Sequence, residues 1–150
     1  MLRDFLLASL HHLLFFGLIA MLAAESALLR RGIDRASMVR LSRLDAAYGV
    51  TATLLLVAGG LRIAYGVKGW DFYAHNPWFH AKLGAFVLAA ALSIVPTIRF
   101  ARWRRLLRAD PAYLPTAEDA GRLLPWLAMQ TALIAVILVC AAGMARHGGL

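Results

Sequence analysis

The chain has 150 residues, of which 61% are hydrophobic and 16% are charged, and its formal net charge is +8. This composition is too apolar for a soluble domain of this length, so it indicates an integral membrane protein. The positive charge does not point to a nucleic-acid partner, because the arginines fall in two clusters between apolar runs and form no basic helix.

Four apolar runs divide the chain, at residues 5–29, 44–65, 77–100 and 123–145. Each is close to the roughly 20 residues that a membrane-spanning helix requires. The first run is longer than the apolar core of about 7 to 15 residues that a signal peptide carries, so we interpret it as a helix of the mature protein. The sequence therefore predicts one all-α transmembrane domain over residues 1–150, folded as a four-helix bundle with short loops.

The arginines predict how this bundle is oriented. Cytoplasmic loops of membrane proteins keep positive charge, and most arginines of this chain lie in the first and third loops. The two clusters are Arg30, Arg31, Arg35, Arg40 and Arg43, and Arg99, Arg102, Arg104, Arg105, Arg108 and Arg122. We therefore expect a multi-pass membrane protein with both termini and the second loop on the outer side; the resemblance described below implies that this membrane is the bacterial inner membrane. Aromatic residues should mark the two interfaces, with Trp70, Tyr73 and Trp78 outside and Trp103 inside.

The first span contains three ionisable residues, His11, His12 and Glu25. Glu25 lies about 40° from His11 on a helical wheel and roughly 21 Å further along the axis, so both side chains are expected to face the bundle interior. A stripe of small residues lies closer to His12, however, and such stripes also mark helix contacts. The first span alone thus leaves either histidine open as the inward one.

Two charged residues of the second span, Asp45 and Arg62, lie near its opposite ends. Asp45 and Glu25 are expected to pair with the nearby Arg40 or Arg43. Arg62 lies about one turn inside the outer interface, where it either extends to lipid headgroups or holds an anionic ligand.

The third span opens with a strong helix-start signal, Asn76 followed by Pro77. His80 and Lys82 lie in its first turns, about 200° apart on the helical wheel, so only one of them can face the interior directly. His80 is either a ligand or a residue that caps the helix and contacts headgroups. Lys82 either faces the interior or extends to the interface.

All five histidines fall in the outer half under the predicted topology, together with three cations. These residues are His11, His12, His75, His80 and His147, and Arg62, Lys68 and Lys82. Neutral imidazoles bind haem iron, copper or zinc, and cations at this depth could receive the two propionates of a haem. The candidate iron or metal ligands are His11, His80 and His12, and Arg62 is a candidate cofactor-binding cation. We expect His75 and His147 to be solvated.

Four stretches of the chain resemble an uncharacterised bacterial family of four-helix predicted membrane proteins. They are Leu10-His11-His12-Leu13, Asp45-Ala46-Ala47-Tyr48-Gly49, Lys68-Gly69-Trp70 and the segment from Asn76-Pro77 to Leu83. That family has no assigned activity, so the resemblance implies the membrane fold and nothing about chemistry.

Two shorter motifs are similar, more distantly, to the haem-dependent protoporphyrinogen oxidase of the HemJ type, and more loosely to the copper-resistance D membrane proteins. They are Leu10-His11 and Trp78-Phe79-His80-Ala81-Lys82-Leu83. In HemJ-type proteins a first-span histidine is associated with haem, and a lysine in a histidine-x-lysine-leucine motif is functionally important. On matching positions the resemblance implies His11 as a haem b ligand, Lys82 as a functional and candidate catalytic residue, and His80 as a candidate second ligand.

These features are compatible with three functions of the chain. The first is a haem b membrane redox protein that oxidises a porphyrinogen or exchanges electrons with quinone. The second is a copper-handling or other metal-binding membrane protein, which no methionine-rich run or cysteine pair supports. The third is a cofactor-free structural or accessory membrane subunit. Each of the three functions is compatible with a homo-oligomer. The sequence does not decide whether the chain is an enzyme.

Overall fold

The computed structural model describes residues 2–66 and 69–146, and all regular structure among them is helical. The helices are α1 (Leu2–Arg30), α2 (Arg35–Tyr65), α3 (Gly69–Ala74), α4 (Pro77–Ala109), α5 (Ala117–Gly121) and α6 (Leu124–Arg146). Four stretches are long and apolar enough to cross a membrane: α1, α2, α4 and the α5–α6 segment Ala117–Arg146. The predicted all-α fold with four spanning helices is confirmed.

Side-chain caps explain where the long helices begin. The carboxylate of Asp34 accepts a 2.6 Å hydrogen bond from the amide of Ser37 and so caps α2. Asn76 caps α4 by accepting from the amides of Trp78 and Phe79 at 3.0 and 3.3 Å, and Pro77 follows at the first helical position. These contacts satisfy amides that have no partner inside a helix, and they confirm the predicted start of α4.

The bundle is built from two helix pairs, α1 with α2 and α4 with α6, which are joined mainly by packing of α2 against α4. In the second pair, Gly143 on α6 allows a close approach: a Cβ added there would lie 2.7 Å from the Trp78 ring. Trp78 is thus partly covered by α6, because the glycine leaves space for its indole.

The two ends of the bundle differ, and we name them by their residues. The histidine end carries His11, α3 and the beginning of α4, whereas the arginine end carries the beginning of α2, the last turns of α4 and α5. With 33 residues, α4 is about 50 Å long at 1.5 Å per residue, well over the roughly 30 Å of bilayer hydrocarbon. Because α2 starts and α4 ends about nine residues outside the predicted spans 44–65 and 77–100, both helices extend beyond the apolar region at the arginine end.

A hydrophobic core fills this extension. It includes Phe100, Trp103 and Leu107 from α4, Met38 and Leu41 from α2, and Leu123 and Leu127 near the start of α6. Trp103 is only 4% exposed and its ring centroid lies 5.7 Å from that of Phe100. The expectation that Trp103 marks a membrane interface is therefore wrong, because its indole is covered by protein.

Candidate functional site

A cavity of about 420 Å³ lies at the histidine end. Its volume is within the range of roughly 300–1,000 Å³ that is usual for small-molecule and cofactor sites. Among the residues that line it are three of the five predicted site residues, His11 from α1, Arg62 from α2 and Lys82 from α4. The fold thus brings one imidazole and two cations from three different helices to the same space.

His11 is the inward histidine of the first span. Its ring packs against α2 at Gly59, where an added Cβ would be in van der Waals contact with the His11 Cε1 at 3.4 Å. The His11 Nδ1 is buried, and the backbone of Leu55 on α2 lies within reach of the ring. His12 is exposed instead, and its Nδ1 donates to the carbonyl of Ala8 at 2.6 Å. The sequence left open whether His11 or His12 faces the bundle interior. The structure shows that the His11 ring faces inward and the His12 ring faces outward.

Arg62 and Lys82 reach the cavity without a counter-charge. The Arg62 Nε is buried and has no hydrogen-bond partner among the described residues. The Lys82 Nζ lies 5.8 Å from the centroid of the Phe79 ring, which is a cation–π contact. Within residues 2–66 and 69–146, the only ion pair closer than 4.0 Å joins Glu118 to Arg122. The cavity is therefore electropositive and suited to an anionic group.

His80 does not line this cavity. Its side chain is exposed, and its Nε2 donates to the carbonyl of Ala74 at 2.8 Å, so it helps to hold the end of α3 against the start of α4. Lys82 is the one that faces inward, as expected if only one of these two residues can. His75 is also exposed and its Nδ1 donates to the carbonyl of Asp71 at 3.0 Å, whereas Lys68 and His147 lie outside the described residues.

Aromatic side chains form much of the apolar wall. They are Phe15, Trp70, Tyr73, Phe79 and Phe86. Tyr73 is only 7% exposed and its ring meets that of Phe79 edge-on at 5.4 Å. Its predicted place in an outer aromatic belt is therefore wrong, because α3 folds over the end of the cavity and turns the phenol inward. Trp70, in contrast, is 66% exposed.

The cavity is not closed on all sides. Leu56 on α2 and Leu83 on α4 line it and are also 54% and 40% exposed. Since both residues belong to spanning helices, the opening between α2 and α4 faces the surface that the bilayer covers. Sequence reasoning missed this opening, although Gly59 lies about 20° from Tyr48 on the helical wheel of α2 and so belongs to a face that is expected to pack closely.

The family model described as "Predicted membrane protein (DUF2214)" matches residues 3–149. The chain belongs to this family. The predicted membership of a family of membrane proteins is thereby confirmed over nearly the whole chain. Neither a curated protein nor a solved structure matches the sequence.

This DUF2214 chain has a second polar feature, the carboxyl layer, which we define as Glu25 on α1 and Asp45 and Tyr48 on α2. Glu25 is 3% exposed, and its Oε1 has no hydrogen-bond partner among the described residues. Asp45 accepts a 2.7 Å hydrogen bond from the hydroxyl of Thr97. The expected pairing of these carboxyls with Arg40 or Arg43 is wrong, because both arginines are exposed and neither carboxyl lies within 4.0 Å of a basic group in the described part of the chain.

Proposed function

We propose that this chain is a haem b-binding membrane redox protein and that the haem occupies the cavity at the histidine end. One observation carries the proposal: His11 faces an apolar cavity together with Arg62 and Lys82, which have no acidic partner among the described residues. A haem requires an axial nitrogen ligand, apolar contacts for its macrocycle and cations for its two propionates. The donor set of this cavity fits all three requirements.

Each polar residue then has a distinct role. His11 would hold the iron, and the His11 ring packs against Gly59 on α2. Arg62 and Lys82 would bind the propionates by charge-assisted hydrogen bonds, which are stronger in an apolar environment than in water. The aromatic wall, with Phe79 and Phe86, would cover the macrocycle and exclude water. Bound haem supplies one-electron redox chemistry, and the chain supplies ligation, burial and charge.

The opening between α2 and α4 supports a lipid-soluble electron partner. A quinone or a porphyrin-type molecule dissolved in the bilayer could reach the cavity between Leu56 and Leu83, which are exposed on that side. Lys82, on the α4 wall of this opening, would position an acidic or carbonyl-bearing substrate. The resemblance to HemJ-type proteins also implies that this lysine is functionally important.

The alternatives have less support. A copper or zinc site usually needs three or more convergent ligands. In the described ranges 2–66 and 69–146, no group of three His, Cys, Asp or Glu residues is arranged to hold a metal ion. A cofactor-free structural subunit gives no reason for the unpaired Arg62 and Lys82.

Absorption spectra of the protein purified in mild detergent test the proposal, recorded oxidised and after reduction with dithionite, together with metal analysis. We expect a haem b spectrum whose bands sharpen and shift on reduction. Copper or zinc at one equivalent without a haem spectrum would favour the second function. A protein that contains neither, and does not take up added hemin, would favour the structural one.

The side of the membrane on which the cavity opens depends on the orientation of the bundle. The arginine clusters predict that both termini lie outside the cytoplasm, which places the histidine end at the outer face. A fluorescent protein that matures only in the cytoplasm, fused after Leu150, should therefore remain dark, while the same reporter inserted after Ala112 in the α4–α5 loop should fluoresce. The opposite pattern would move the cavity to the cytoplasmic face.

A further inference from the structure

The carboxyl layer has no role in the proposed haem site. Glu25 belongs to the inward stripe of α1 and is 3% exposed, with its Oε1 buried and unpartnered. Asp45 is half-buried on α2, the helix that packs most extensively against α1. The two carboxyl groups thus lie on adjacent helices, close enough for the charge of one to act on the other, and neither has a basic partner within 4.0 Å among the described residues.

Two ionised carboxylates at such a position would repel each other, and a buried carboxylate also loses its hydration. A bound cation removes this cost. A metal ion would need several converging ligands, and the described residues contain no group of three His, Cys, Asp or Glu that could provide them. A proton needs only one oxygen, so it is the cation that this arrangement favours.

Hydrogen bonding distinguishes the two carboxyls. The Thr97 hydroxyl donates to the Asp45 Oδ1 at 2.7 Å, and a donated hydrogen bond stabilises the ionised form of a carboxyl group. Glu25 Oε1 receives no such bond. We propose that Glu25 is a proton-binding site that exchanges its proton with the aqueous phase at the arginine end, with Asp45 as its ionised neighbour.

The surroundings indicate the route of exchange. Asp45 is half-buried and its partner Thr97 is exposed, so the layer reaches the surface beside α4. In the other direction, buried Phe15, Leu18 and Leu22 lie on the same stripe of α1 between His11 and Glu25. The proton-binding site is therefore separated from the haem cavity by apolar side chains and does not depend on whether a haem is bound.

The chain contains only two glutamates, Glu25 and Glu118, which allows a sharp test. Glu118 is exposed and paired with Arg122, so it is a built-in reference for an ionised carboxylate. Full-length protein in lipid nanodiscs is prepared with glutamate labelled with carbon-13 at the side-chain carboxyl, and infrared spectra are recorded at neutral pH. We expect an isotope-shifted C=O band of a protonated carboxylic acid, retained in Glu118→Gln, lost in Glu25→Gln and shifted in D₂O.

Three results would overturn the proposal. Labelled bands of carboxylates alone would show that Glu25 is ionised. A carboxylic acid band that does not move in D₂O would show a proton that does not exchange. Loss of the acid band on addition of Na⁺ would assign the site to a metal ion. Because the wild-type label reports on Glu25 directly, the test does not require Glu25→Gln to fold.

Discussion

The two ends of this bundle use the same four long helices in opposite ways. At the arginine end, Leu41 and Leu127 are 0% exposed and Phe100 is 2% exposed, within a core that joins α2, α4 and α6. At the histidine end, the same helices leave a cavity of about 420 Å³ that contains His11 and two cations. The core between α2, α4 and α6 at the arginine end is filled by its own side chains, whereas the histidine end leaves space for a ligand. A second cavity, of about 490 Å³, lies between α1 and α6 nearer the arginine end, but its lining includes Arg30 and, among the described residues, no histidine.

This difference suggests that the arginine end stabilises the fold and that the histidine end binds a ligand. Close packing gains dispersion contacts, and an empty apolar cavity forgoes them, so the packed end must supply stability that the cavity does not. It follows that substitutions at the histidine end should change ligand binding more than folding, and that substitutions at the arginine end should do the reverse.

The strongest test of the histidine end is His11→Ala. We expect it to abolish the haem spectrum while the protein remains folded, because it removes the only inward imidazole that the described cavity lining contains. His12→Ala is the matched control and should retain the spectrum, since that ring is exposed and bonded to the Ala8 carbonyl. His80→Ala should also retain it. A normal haem spectrum in the His11 variant would reject His11 as the iron ligand. Loss of the haem spectrum in the His12 variant would assign that role to His12.

The strongest test of the arginine end is Phe100→Ala. Truncation of a buried phenylalanine typically costs about 3–5 kcal/mol, so the midpoint of thermal unfolding in detergent should fall markedly. Haem content per folded molecule should be unchanged at low temperature. Exposed Ile98→Ala, on the same helix, is the control and should change stability little. If folded Phe100→Ala protein lost as much haem as the His11→Ala variant, the proposed difference in role between the two ends of the bundle would be wrong.

Arg62→Gln and Lys82→Gln should each weaken hemin binding without abolishing it. Hydrogen bonds to charged groups contribute about 1.5–3 kcal/mol, which corresponds to a loss of affinity of at least about tenfold. The exposed Arg146→Gln, at the same end of the bundle, is a control for net charge. Titration of apoprotein with hemin measures the effect. Unchanged affinity in both cavity variants would show that these cations do not bind the ligand.

The smallest effect is expected at the cap of α2. Hydrogen bonds from Ser37 lower the pKa of the exposed Asp34 below its usual value. A carboxyl group whose pKa is lower in the folded state stabilises the protein above its unfolded pKa of about 4, and this contribution is lost as the pH falls through the folded value. Thermal unfolding midpoints of wild type and Asp34→Asn should therefore converge as the pH is lowered below about 4. A constant difference would contradict this linkage.

Much of the fold was predictable from the sequence because the signals are local. Runs of apolar residues predict spanning helices, since every backbone polar group must be satisfied inside the bilayer. Asn76 followed by Pro77 predicts the start of α4 through the geometry of a helix cap. The start of α2 at residue 35 also has a local signal, the Asp34 cap, which hydropathy does not register. The end of α4 at residue 109 lies beyond the apolar run, because its last turns are stabilised by tertiary packing of Phe100, Trp103 and Leu107.

Helical periodicity alone is enough to place His11 and Glu25 on one face of α1 and to show that His80 and Lys82 cannot both face inward, because the helical period fixes these angles. The packing of the helices decided which side of α4 faces the bundle, and therefore that Lys82 lines the cavity with His11 and Arg62 while His80 bonds to the end of α3. It also decided that Glu25 is buried and that neither Glu25 nor Asp45 lies within 4.0 Å of a basic group in the described part of the chain. Helical periodicity relates residues within one helix, whereas the rotation of one helix against another depends on which side chains pack between them, such as Trp78 against Gly143.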